Sequence, residues 1–291
     1  MNRRDLLKGA LLGASAMALQ PLPSLAVDSG GDAPARLAAL ERRHGGRLGV
    51  AVLDTGNGRR TVHRAHERFL MCSTCKLLIV AAVLACVDRG AEQLERRIVF
   101  DKGALLSYAP ICETRAGAPG MTVAELCQAA ITVSDNTAAN LLLASLGGPA
   151  AVTAYARSLG DDMTRLDRIE PGLNLASPGG LFDTTTPSAM LADLQTLLLG
   201  HSLSEASRQQ LLAWLRATTT GNSLLRAGIP HAWRVGDKTG RGPRFETNDI
   251  AIVWPPRRKP LLVTAYYAES TATDDERDAV LAEVGRIAAA I

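Results

Sequence analysis

The sequence predicts an α+β fold: one antiparallel sheet built from both chain ends and covered by terminal helices, with an inserted all-helical subdomain. Three observations predict it. Strand-like segments lie near the two ends only, at 47–66 and 233–267. Helix-like periodicity fills the stretch between them, from Ser73 to about Leu225. An isolated two-stranded hairpin is marginal in water, so the N-terminal strands need the C-terminal ones as neighbours. The predicted division is a sheet part at about 27–70 and 226–291 and a helical part at about 71–225. At 291 residues, 47% hydrophobic and 21% charged, the chain is long and apolar enough to bury such a core.

Each element has a local reason. Residues 1–26 read as an export signal rather than as structure. Arg3, Arg4 and Lys8 precede a Gly/Ala/Leu-rich stretch from Gly9 to Leu19, and Ser24-Leu25-Ala26 supplies small residues for cleavage. The paired arginines resemble a twin-arginine signal, which implies a periplasmic or secreted protein. Residues 34–43 form a short helix with Leu37 and Leu40 on one stripe, stopped by Gly45-Gly46. Strands at 47–54 and 59–66 flank the turn Thr55-Gly56-Asn57-Gly58. A helix starts at Ser73 and runs to Gly90. Further helices are expected at 123–130, 137–146, 150–159, 188–199 and 204–217. Strands return at 233–238, 249–254 and 261–267, with Pro255-Pro256 in the last turn, and residues 274–291 close the chain as a helix.

Charge and hydropathy exclude two classes of function. Formal net charge is +3. Without the first 26 residues it is +1, with 29 basic against 28 acidic side chains. A body so near neutral is poorly suited to a phosphate backbone, so nucleic acid is not an expected partner. No apolar run reaches the ~18 residues that span a bilayer, so stable membrane insertion is not expected.

The candidate chemistry begins at Ser73-Thr74-Cys75-Lys76. On a helix, Ser73 and Lys76 share a face. A serine hydroxyl needs a neighbouring base to attack, and a partly desolvated lysine can serve. Taken alone, this pair reads equally as a helix cap with a solvated lysine. Two further triplets change that reading: Ser134-Asp135-Asn136 between two helices, and Lys238-Thr239-Gly240 at the end of a strand. With these three motifs in this chain order, the sequence resembles a class A serine β-lactamase from about residue 35 to its C-terminus. Arg168-Ile169-Glu170-Pro171-Gly172-Leu173-Asn174 resembles the start of that family's omega loop, and Asp183-Thr184-Thr185-Thr186-Pro187 its end.

The resemblance implies a set of roles. Ser73 attacks the lactam carbonyl, and either Lys76 or Glu170 through a water takes its proton. Ser134 passes a proton to the departing nitrogen. Glu170, helped by Asn174, holds the water that hydrolyses the acyl-enzyme. Asn136 binds the substrate's side-chain amide, Lys238 and Thr239 face its carboxylate, and Tyr108 walls the cleft mouth. The backbone N–H groups of Ser73 and Arg241 form the oxyanion hole. An Arg168–Asp183 ion pair closes the loop. The reaction needs no cofactor or metal, its partner is a small β-lactam, and a monomer is expected. Two other readings stay open on the same residues: a penicillin-binding receptor or sensor that acylates without turnover, and a peptidoglycan peptidase.

The sequence departs from the family in two places. Where many members keep an arginine for the substrate carboxylate, the matching positions here are Thr247, Leu224 and Asp278. Arg241, or secondarily Arg244, is the expected substitute; a solvated edge residue is the equal alternative for Arg241. The five cysteines, Cys72, Cys75, Cys86, Cys112 and Cys127, lack the family's bridging partners, which are Gly242 and Val80 here, so no disulfide is expected. Cys72 and Cys75 flank Ser73, but no histidine stands in a Cys–His signature. His63-Arg64-Ala65-His66 is a weak metal spacing on a predicted strand.

Overall fold

The structure, a computed structural model, describes residues 32–291. The export-signal reading of 1–26 lies outside them. Helix α1 (Ala33–His44) opens with Pro34 in its first turn. Strands β1 (Arg47–Asp54) and β2 (Arg60–His63) form the hairpin. β2 ends before the predicted His66, because Arg64 takes a positive φ of 43° that turns the chain out of the ladder. The two-residue strand β3 (Phe69–Leu70) leads into a 3₁₀ turn at Cys72–Cys75, and α2 (Lys76–Asp88) begins only there. Ser73 therefore precedes the α-helix instead of starting it.

Next come β4 (Arg97–Ile98), β5 (Met121–Thr122), α3 (Val123–Thr132), α4 (Asn136–Leu146) and α5 (Pro149–Ser158). After a long loop follow β6 (Thr184–Thr185), α6 (Pro187–Leu198), α7 (Glu205–Arg216) and the single turn α8 (Leu225–Gly228). The chain closes with β7 (Arg234–Arg241), β8 (Thr247–Trp254), β9 (Leu261–Ala268) and α9 (Asp274–Ala289). Capping boxes at Thr122/Glu125 and Thr273/Glu276 fix the starts of α3 and α9. β3 pairs with β6, and β4 with β5, too briefly for any alternation to show in sequence.

The main sheet has the order β2-β1-β9-β8-β7, every pair antiparallel. The two chain ends thus meet at the β1–β9 ladder, and β7 is left as an edge strand. Both faces of the sheet are covered. Leu48, Val50 and Val52 of β1, with Val263 and Tyr267 of β9, pack under α1, α8 and α9. Ala51 and Leu53, with Ile250, Leu262 and Tyr266, face the helical part and its central helix α2. α2 is apolar nearly all round, and its buried run from Lys76 to Ala85 makes it the axle of that part. Among the described residues, no single helix is long and apolar enough to cross a membrane.

Candidate active site

The edge strand β7 lies against the 3₁₀ turn that carries Ser73. The close approach depends on Gly240: a Cβ there would sit 2.8 Å from the Met71 carbonyl and 3.1 Å from the Ser73 nitrogen. The turn is held from behind as well. Asn248 Nδ2 on β8 donates to the Leu70 and Met71 carbonyls at 2.9 and 3.2 Å. The Met71 N–H donates to the Asp183 carbonyl at 2.9 Å, tying the turn to the end of the long loop.

From this turn Lys76 reaches inward, fully buried. Its Nζ donates to Ser73 Oγ at 2.9 Å, the Ser134 carbonyl at 2.8 Å, Ser134 Oγ at 3.2 Å and Asn136 Oδ1 at 2.6 Å. It also stands 3.1 Å from Glu170 Oε1. Burying an ammonium is costly unless it is paired and hydrogen-bonded, and here the pairing is dense. Asp135 explains why Ser134 and Asn136 converge. Its Oδ1 caps α4 through the Ala138 N–H at 2.9 Å, while Oδ2 takes the Ile111 and Cys112 N–H groups at 3.0 and 2.9 Å. The middle residue of the triplet anchors the backbone, and Ser134, at a φ of 61°, is turned towards the cleft side.

Glu170 enters from the loop between α5 and β6. Ser73 Oγ lies 3.4 Å from Glu170 Oε1, and Asn174 Nδ2 donates to Oε2 at 2.6 Å. The loop is clamped at two points. Asp183 accepts the N–H groups of Asp167 and Arg168 at 2.8 and 2.9 Å and the Arg168 Nε at 2.6 Å. Asn140 on α4 grips the Glu170 backbone on both sides: its Oδ1 accepts the Glu170 N–H and its Nδ2 donates to the Glu170 carbonyl, each at 2.9 Å. Asn174 Oδ1 is buried without a hydrogen-bond partner among the described residues. It is an acceptor held in reserve beside the carboxylate.

The opposite wall is β7. Lys238, also fully buried, donates to Ser134 Oγ at 3.0 Å and to the Thr239 carbonyl at 2.8 Å. Burial, reinforced by the charge of Lys76, lowers its pKa to about 7. Beneath it Asp237 pairs with Arg226, and burial together with the Asp237 charge pushes the Asp249 carboxyl well up. The hydroxyls of Thr239 and Thr220 are 2.6 Å apart. Ser73, Tyr108, Ser134, Asn136, Asn174, Thr220, Thr239, Gly240 and Arg241 line one cavity of about 380 Å³. Lys76, Glu170 and Lys238 sit beneath that lining, out of solvent. Tyr108 is half-exposed at the mouth, and its carbonyl accepts the Asn136 N–H at 2.9 Å.

Arg241 lies on the strand edge in the cleft, and its Nη2 donates to both carboxylate oxygens of Asp278, at 2.6 and 2.8 Å. Arg244 does not reach the cleft and lines a separate cavity with Arg47 and Arg68. The sequence reading also missed two contributors. Asn140 follows Asn136 by four residues on α4, so helical spacing was a usable signal. Thr220 meets β7 only through the tertiary fold, and nothing local marks it. Asp278 was named only as a position that lacks the family's arginine, not as the partner of Arg241.

All five cysteines are free thiols. Burial, and then neighbouring carboxylates, push the Cys72 and Cys75 thiols up, which leaves them poor nucleophiles beside Ser73. His63 is bound to Glu41 at 3.1 Å. Among the described residues no group of three or more His, Cys, Asp or Glu side chains is placed to hold a metal ion.

A model of the Beta-lactamase enzyme family matches residues 33–291. The chain is 48% identical over 256 residues to β-lactamase CTX-M-25 of Escherichia coli, covering 88% of each. It is 46% identical over 281 residues to β-lactamase OXY-1 of Klebsiella oxytoca, covering 96% of each. The solved structure of an ancestral (GNCA) class A β-lactamase superposes with a TM-score of 0.86 at 62% identity, covering 88% of this chain and 98% of that one.

Proposed function

This chain belongs to the class A β-lactamases, and from that premise we propose that it hydrolyses the β-lactam amide of penicillins and cephalosporins through an acyl-enzyme on Ser73, giving resistance. Ser73 Oγ attacks the lactam carbonyl carbon. Its proton passes through a water to Glu170, or to Lys76 once that ammonium has handed a proton to the Glu170 carboxylate 3.1 Å away; both groups lie against it. The Ser73 and Arg241 N–H groups receive the oxyanion. As the C–N bond breaks, Ser134 protonates the departing nitrogen and is reprotonated through Lys76 or Lys238, each in hydrogen-bond contact with its hydroxyl. Lys238, Thr239 and Arg241 take the substrate carboxylate, Asn136 its side-chain amide, and Tyr108 borders the entrance. A water held and deprotonated by Glu170, with the unpartnered Asn174 Oδ1 as second acceptor, then attacks the ester carbonyl; the acyl C–O bond breaks and the proton returns to Ser73 Oγ.

The single observation that carries hydrolysis over mere acylation is the placement of Glu170. A buried carboxylate stands 3.4 Å from the nucleophile's oxygen, with its backbone clamped by Asn140. A sensor has no use for a base at that distance. Glu170→Gln is expected to keep acylation and slow deacylation by roughly 10²–10⁴-fold. With a chromogenic cephalosporin, stopped-flow would show a burst and then a slow steady state, and mass spectrometry a lasting adduct on Ser73. Unchanged turnover would remove Glu170 from the mechanism. A lasting adduct on the unaltered protein would favour the receptor reading.

From the sequence alone we also propose export, directed by residues 1–26 with their Arg3-Arg4 pair. Replacing both arginines by lysine is expected to hold the protein in the cytoplasm, as cell fractionation would show.

A further inference from the structure

Of the two cations assigned to the substrate carboxylate, Lys238 is buried, and the exposed one, Arg241, is already engaged. Arg241 closes β7 at the cleft rim, with its side chain 42% exposed. One guanidinium nitrogen, Nη2, meets both oxygens of Asp278. Nε and Nη1 carry no hydrogen bond among the described residues. Asp278 projects from α9 and is itself fixed: its side chain is 12% exposed, and its Oδ2 accepts from Ser223 Oγ at 2.6 Å. Ser223 belongs to the segment that brings Thr220 against Thr239. One carboxylate therefore joins the closing helix, the segment before α8 and the edge strand. It also carries the charge opposite to that of Arg241, at contact distance.

That arrangement has an electrostatic consequence. A carboxylate entering beside Thr239 meets Arg241 with its charge compensated, and its attraction is reduced by repulsion from Asp278. The neighbouring cation, Arg277, does not make up the difference. It is buried and tied to Asp274, the Ala272 carbonyl and the Thr247 hydroxyl, under the Phe245 ring.

Building on the hydrolase reading, we propose that Asp278 is a specificity-setting positioning residue, which stores the Arg241 guanidinium at the rim and makes the substrate carboxylate compete for it. Arg241 consequently adds little to the discrimination between a β-lactam acid and its ester beyond what Lys238 supplies, and removing the Asp278 charge sharpens that discrimination.

The test compares KM and kcat for benzylpenicillin and its methyl ester, using the wild type, Asp278→Asn, Asp278→Ala, Arg241→Ala and the Arg241→Ala/Asp278→Asn double variant. Asp278→Asn keeps an acceptor for Nη2 and removes only the charge. It is expected to lower KM for the acid about fivefold, the worth of an exposed charge pair, with kcat and the ester unchanged. Asp278→Ala should move KM in the same direction, which keeps the test open if either variant folds poorly. The double variant should lose the gain. An unchanged or higher KM for the acid in the variants that fold, an equal gain for the ester, or a gain that survives in the double variant would each overturn the proposal. Failure of the hydrolase reading would look different: the wild type would turn over neither compound and would show no transient adduct on Ser73.

Discussion

On the helical wall of the cleft one buried ammonium is shared among Ser73, Ser134, Asn136 and Glu170, and almost every polar atom has a partner within 3.5 Å. On the strand wall each side chain has fewer partners. Lys238 has two partners, Thr239 has Thr220, and Arg241 is half-exposed with one nitrogen engaged. The difference separates two tasks. A densely bonded, buried network fixes atoms that exchange protons, and such groups act as a unit whose losses do not add. A wall with unspent donors can accept carboxylates on differing ring systems, and its groups contribute to binding in smaller and more separable steps.

Three measurements would break or sharpen this contrast, and the largest effect lies on the helical wall. Ser73→Ala is expected to abolish covalent labelling by penicillin and reduce kcat by at least about 10⁴-fold. Thermal unfolding should hardly change, because the Ser73 side chain caps no helix. Labelling that moves to Cys72 or Cys75 would sink the serine assignment.

A smaller effect is expected one layer back. Asn140→Ala removes both side-chain hydrogen bonds to the Glu170 backbone, worth about 1–3 kcal/mol if that backbone is left buried and unpaired. Because the loss falls on the residue that directs the water, deacylation should slow by about tenfold while acylation stays within twofold. Single-turnover kinetics separates the two steps, and an equal loss in both would mean that Asn140 only stabilises the fold.

The mildest effect belongs to the strand wall. The Lys238 pKa is lowered to about 7 by burial and by Lys76, so its charge is fully present at lower pH and is lost as pH rises through that value. KM for benzylpenicillin should therefore rise several-fold between pH 6.5 and 8.5, and KM for its methyl ester should stay flat. Parallel profiles for acid and ester would remove Lys238 as the titrating group.

How much of this was legible in advance follows from distance along the chain. The spacing of Ser73 and Lys76 is one helical turn, and both the 3₁₀ turn and an α-helix satisfy it, so the pair was readable although the helix boundary was misplaced. Periodicity placed α4 within a residue of its start, while the cap by Asp135, which uses both its oxygens there, went unread. The end of β2 was not readable, because nothing in Arg64 itself announces a positive φ. Arg241 was placed correctly on the strand, yet its ion pair was invisible: Asp278 is 37 residues away and reaches it only because α9 folds back over the sheet.

The sequence by itself determined the local grammar: the periodicity of the helices, the hairpin turn, the caps, and three short motifs whose members sit within one turn or one strand of each other. Those patterns depend on backbone sterics and on spacings of 3.6 or 2 residues, which neighbours in sequence already encode. Tertiary structure decided what meets across the cleft. It left β7 at the edge of the sheet, where Gly240 allows contact with the turn of Ser73. It carried Glu170 across 97 residues to the nucleophile and closed its loop with Arg168 and Asp183. It also set Asp278 against Arg241, compensating the one cation that the strand motif appeared to leave free. These juxtapositions depend on which apolar faces pack together and at what separation, and burial of two cores on opposite faces of one sheet settles that globally, not residue by residue.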